Sequence, residues 1–181
     1  ATSDYQRARA ELEAQGFTFT ALVGDGRLAL PWAFAGIPFQ MCHFHMEQIV
    51  IRYTTRYPQL PAGIELLELM RTLSKTDGAS FADAFGLWSS TWDSFLQEKS
   101  VNPKTGRKAY THRRLRSARD SVRRHMPDLF TYEKYPELNI PNTTNSLDGS
   151  FKKLKLAIGV HAGLTHARKL KLITALLYPL A

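Results

Sequence analysis

The sequence predicts a mixed α/β fold interrupted by an all-helical insertion. Residues 1–61 alternate helix, strand, loop, strand and helix, which argues for a mixed sheet with helices on its faces. From about residue 62 to 126 one amphipathic pattern follows another with no strand between them. A last helical region begins at Thr143. With 181 residues, 44% hydrophobic and 11% aromatic, the chain can bury a real core as one domain with an elaboration. The expected parts are a sheet-bearing segment over 1–61, the helical insertion over 62–139, and C-terminal helices over 140–181.

Taken in order, residues 4–15 have helix-forming composition and stop at Gly16, after which FTFTALV reads as a strand of aromatic and β-branched residues. Gly24-Asp25-Gly26 breaks that strand. A second strand over Ile37 to Met41 leads into a helix over His43 to Tyr57, with apolar positions at Phe44, Ile49, Ile51 and Tyr53. In the insertion, Phe81, Phe85, Trp88, Trp92 and Phe95 recur at spacings of four, three, four and three, the stripe of a packed helix face. A polar loop, SVNPKTGRK, separates this stripe from the basic helix AYTHRRLRSARDSVRRHM. An irregular stretch with two prolines follows Pro127.

Composition excludes several classes. The single cysteine, Cys42, permits neither an intramolecular disulfide nor a Cys-rich zinc framework, and fits a reducing compartment. No stretch reaches the ~18 apolar residues of a membrane span and no signal peptide opens the chain, so a cytoplasmic protein is expected, nucleoid-associated where DNA is its partner. The missing initiator Met fits either a start inside a longer polypeptide or Met removal before Ala1. A formal charge of +8, from 24 Lys and Arg against 16 Asp and Glu, favours a polyanionic partner, nucleic acid first. The charge is clustered. Lys104 to Arg124 holds nine cations against Asp120, and Phe151 to Leu172 holds six with no acid. In the first cluster Arg113, Arg116 and Arg123 can share one helical face while Arg114, Arg119 and Arg124 lie elsewhere. Lys152, Lys153 and Lys155 lead the second. Such side chains would position a duplex through its phosphates without reading sequence.

Two acids stand out. Asp25 follows a strand directly, where ligand and metal residues project in mixed sheets; a Gly-Asp-Gly turn capped by its own side chain is the plainer alternative. Asp148 sits early in a helix preceded by Asn142-Thr143-Thr144-Asn145, and an N-cap at Asn145 with Asp148 in the first turn would also account for it. Cys42 and His45, three apart, are half of a zinc site at most.

These motifs together resemble the Mutator-type DDE transposases, including their bacterial insertion-sequence branch. The resemblance rests on Thr143-Thr144-Asn145 followed by Asp148 and then Lys152, Lys153 and Lys155, and on Asp25 followed by Cys42-His43-Phe44-His45. The Trp-bearing helical insertion between them is the remaining shared feature. It implies a partial ribonuclease-H-like core, with Asp25 and Asp148 as the second and third catalytic acids and ligands of Mg2+ or Mn2+. It also implies DNA as substrate and a homodimer as assembly. The chain departs from the pattern twice. The family's first Asp lies upstream of the helix that opens this chain, and Asp148 stands where the family has Glu, one methylene longer. The chain by itself is therefore expected to be inactive in DNA transposition, the alternative being a noncatalytic DNA-binding or regulatory derivative.

Overall fold

The computed structural model describes residues 2–101, 103–161 and 163–177, without the side chains of 145–148, 150 and 153. Contacts divide the chain into a larger unit, Ala1–Thr143, and a smaller one, Thr144–Ala181. The fold is mostly helical with a few short strands, a mixed α/β arrangement of the general kind expected.

The larger unit opens with helix α1 (Thr2–Ala14), whose surface ion pairs run from Arg7 to Asp4 and from Arg9 to Glu13. It is fixed by Arg9, which donates to the Ala33 carbonyl at 3.3 Å and lies over the Phe34 ring. Strand β1 (Leu22–Gly24) pairs in parallel with β2 (Phe39–Met41), and the short helix α2 (Ala29–Ala33) lies in the crossover. Both strands are shorter than their patterns suggested. A strand extends only as far as a neighbour accepts its hydrogen bonds, and β2 matches three residues of β1; residues 17–21 have no such neighbour, and Phe17 stays exposed.

Helix α3 (His43–Thr54) follows β2 directly, then α4 (Pro61–Thr72), with proline at its first position where no amide partner is needed. Helix α5 (Gly78–Thr91) is capped by Asp77, whose carboxylate accepts from Ser80 N at 2.9 Å. The short α6 (Asp93–Gln97) completes this run. The aromatic stripe is core: Phe81, Phe85 and Trp88 are buried, and Trp92 and Phe95 pack against the same cluster as Met41, Met46, Leu66, Met70 and Val122. That cluster runs continuously from β2 and α3 into the helical stretch. The Trp88 indole donates to the Ala62 carbonyl at 3.0 Å, so even its polar atom is satisfied.

The stretch expected to be purely helical contains an antiparallel hairpin, β3 (Lys99–Val101) with β4 (Lys108–Tyr110), in place of the polar loop. Its ends are tied. Thr111 N donates to the Glu98 carbonyl at 2.9 Å, and the Glu98 carboxylate meets His112 Nε2 at 3.0 Å. Helix α7 (Arg113–Leu129) comes next and runs through Pro127 into its last turn, two residues beyond the expected break. It buries Leu115, Ala118, Val122 and Leu129 against the core. The four-residue α8 (Thr131–Lys134) closes the segment. The smaller unit is a pair of helices, α9 (Asn145–Val160) and α10 (His166–Leu177). No helix among the described residues is long and apolar enough to cross a membrane.

Candidate functional site

Three separated segments meet at the carboxyl end of the β1–β2 pair. The Cys42 amide donates to the Gly24 carbonyl at 2.8 Å, extending the ladder past β2 and placing the Cys42–His45 turn beside the Asp25 loop. The His43 amide donates to the Asn142 carbonyl at 2.9 Å, which brings the start of the Asn142-Thr143-Thr144 run to the same turn. Asp25 itself is half-exposed. Its carboxylate accepts from the Arg27 amide at 3.2 Å and pairs with the Arg27 guanidinium at 3.1 Å, the self-capping arrangement of a Gly-Asp-Gly turn. Gly26 takes φ +81°, and a Cβ there would stand 2.8 Å from both His125 and Met41, so glycine is what lets α7 approach this loop.

Below the loop lies a buried polar clamp that the sequence reading missed. Gln40 is fully buried; its amide nitrogen donates to the Met41 and Leu129 carbonyls at 2.7 Å, and its oxygen accepts from Tyr132 N at 3.1 Å. The Thr131 hydroxyl donates to the Phe39 carbonyl at 2.7 Å. His43 Nε2 donates to the Leu129 carbonyl at 2.6 Å, which assigns its proton, while Nδ1 is buried without a partner among the described residues. Burial between Phe130 and Tyr132 drives the His43 imidazole below its ordinary pKa, against the opposing pull of the Leu129 carbonyl and Glu133. His125 is lowered too, by burial and then by Arg124, and Asp128 is raised by burial. Cys42 is fully buried, and His45 Nδ1 is buried without a hydrogen bond among the described residues.

A metal site needs several converging donors. Among the described residues no group of three or more His, Cys, Asp or Glu converges, and the Asp25 carboxylate faces Arg27. These residues alone do not fit a Mg2+ or Mn2+ cradle, nor a zinc site built on Cys42 and His45. The Arg27 clasp is a surface pair worth at most about 1 kcal/mol, so it holds the carboxylate only lightly. Asp148 belongs to α9 in the smaller unit, and its side chain, like those of Asn145 and Lys153, lies outside the described residues. Thr143 and Thr144 are partly buried, Thr144 just ahead of α9.

The basic residues divide by the work they do. Arg114 donates to the carbonyls of Tyr53 at 2.9 Å and Arg52 at 2.6 Å, capping the C-terminus of α3. Arg116 stacks 3.6 Å from the Tyr110 ring centroid and donates to the Leu96 carbonyl, locking the hairpin to α6. Arg119 is buried against Asp93 and Asp120. By contrast Arg113, Arg123 and Arg124 are exposed and make no ion pair among the described residues. The hairpin adds Lys99, Lys104, Arg107 and Lys108, all exposed, with no acid between them. Pairing of Val101 with Lys108 and of Lys99 with Tyr110 puts Lys99 and Lys108 on one face of the ribbon. Lys152 and Lys155 are exposed on α9.

No protein-family model, curated protein or solved structure matches this chain.

Proposed function

We propose that this chain is the part of a Mutator-type DDE transposase catalytic region that bears the second and third acids, and that by itself it binds DNA without cutting it. The observation that carries the reading is the meeting of the Asp25 loop, the Cys42–His45 turn and Asn142, three segments far apart in sequence, through hydrogen bonds of 2.8 and 2.9 Å. A partial ribonuclease-H-like core is the finer fold that goes with it. An acid at the carboxyl end of one of two parallel strands is where sites of open α/β sheets form, which supports that assignment. Mg2+ or Mn2+ at Asp25 and Asp148 enters through the resemblance alone.

DNA is held by exposed cations, the hairpin with Arg113 and Arg123 in the larger unit and Lys152 and Lys155 in the smaller; Lys153 joins them through the resemblance alone. The second reading, a noncatalytic DNA-binding or regulatory derivative, is favoured by the pairing of Asp25 with Arg27. Fluorescence anisotropy with a labelled duplex in EDTA at low salt tests the shared claim. Metal-independent, salt-sensitive binding is expected, and no binding at low salt would sink both readings. Strand cleavage by a longer protein containing this chain, lost in Asp25→Asn, separates them in favour of the transposase; cleavage that survives Asp25→Asn removes Asp25 from the active site.

A further inference from the structure

A cavity of about 330 Å³ opens where the hairpin joins α7, between the C-terminus of α3 and the N-termini of α4 and α7. Tyr53, Pro58, Leu60 and Leu115 give it apolar walls, and Gln59, Thr111, His112 and Arg114 contribute polar groups to the lining. None of these residues carries the resemblance described above. We propose that this cavity receives one unstacked base of a DNA strand whose phosphates are held by the hairpin and Arg113. The inference rests on the DNA-binding reading and adds a substrate feature to it: a nucleotide that is not base-paired.

Four observations support it. The volume falls within the range of small-ligand sites and suits a flat, mostly apolar ring with a polar edge. Arg113, exposed and without an ion pair among the described residues, lines the same cavity, so a cation stands ready for the phosphate of the nucleotide that carries the base. The cavity wall and the hairpin are mechanically one piece, because His112, which lines the cavity, pairs with Glu98 at 3.0 Å and stacks on Phe95 with centroids 3.7 Å apart. Thr55, also in the lining, has φ 81° and ψ 169°, a conformation that glycine adopts and β-branched residues avoid. Strain retained at a cavity wall is characteristic of functional positions. Exposed lysines alone would grip any duplex; a cavity that joins apolar walls to Arg113 suits a ring together with the phosphate of its nucleotide.

The test compares three labelled DNAs at one ionic strength: a fully paired duplex, the same duplex with one extra unpaired nucleotide, and that duplex with an abasic residue at the unpaired position. The proposal expects about tenfold tighter binding of the second, with the preference lost in the third. Leu60→Trp, which fills the cavity from its rim, should abolish the preference and leave affinity for paired duplex unchanged. Equal affinity for all three DNAs by a protein that binds the duplex would overturn this proposal while leaving DNA binding intact. Failure to bind any of them at low salt would overturn both. A preference that persists with the abasic DNA would show that the bend, not the base, is recognised, and would equally overturn the cavity assignment.

Discussion

At the scale of single residues, the polar atoms placed where they cost most give the clearest expectations. Thr55 closes α3 by donating its amide to the Ile51 carbonyl at 2.7 Å, but does so from a backbone region that L side chains avoid. Glycine keeps that hydrogen bond without the steric penalty, which outweighs its greater freedom in the unfolded chain. Thr55→Gly should therefore raise stability by about 1 kcal/mol, read as a higher denaturant midpoint at unchanged slope. His43 is the second case. Its imidazole is kept neutral in the fold by burial, whereas in the unfolded chain it takes a proton near its ordinary value of 6.5. The unfolded state thus binds more protons in the window just below 6.5, so stability is full above that pH and falls as pH drops through the window. His125, lowered for the same first reason, adds to the effect. Urea unfolding at pH 7.5 and 5.5 should show the loss, and His43→Gln, which keeps a donor for Leu129 but cannot titrate, should reduce it. An unchanged pH dependence in that variant would assign the effect elsewhere.

Among elements, the decisive joint is between β2 and the end of α7. Two side chains from the β2–α3 segment, Gln40 and His43, donate to the same Leu129 carbonyl, one of the orphan acceptors a helix leaves at its C-terminus. Gln40→Leu keeps the volume but strips a partner from Tyr132 N, and should destabilise the fold by about 1–3 kcal/mol; thermal unfolding would check it. This joint shows what a sequence does and does not disclose. The stripe from Phe81 to Phe95 was legible because its period is the helix period and burial follows from it. The Asp25 loop was legible because glycines on both sides announce a turn. The clamp was not, since its acceptor is a backbone carbonyl that every residue carries, 86 residues from His43. Nor was the hairpin: KSV and KAY lack apolar alternation, and what closes them is the Glu98 to His112 pair at their ends. Among the expected DNA-contacting residues, spacing put Arg113, Arg116 and Arg123 on a face, but could not show that Arg116 is occupied by Tyr110 and Leu96.

For the whole molecule, the question is which part of the +8 charge is available to a polyanion. Cations committed inside the fold cannot release counterions on binding, because they are neutralised or desolvated already. Arg119, between Asp93 and Asp120, is of this kind, and Arg114, spent on the α3 carbonyls, is close to it. The hairpin lysines are the opposite case. Lys99 and Lys108 share a face of a two-stranded ribbon with no acid between the strands, so their mutual repulsion is relieved when a phosphate arrives. Each cation that meets a phosphate contributes about 0.9 to the slope of log affinity against log salt. Combined replacement of Lys99, Arg107 and Lys108 by serine should lower that slope by about 2 to 3 and leave the unfolding midpoint nearly unchanged. Arg114→Lys should do the reverse, weakening the α3 cap with little change in slope, since one ammonium cannot serve both carbonyls with the geometry of the guanidinium fork. Equal slopes for the hairpin variant and the native chain would mean that the ribbon does not touch the nucleic acid, and would move the contact to Arg123 and Arg124 on α7 or to the lysines of α9.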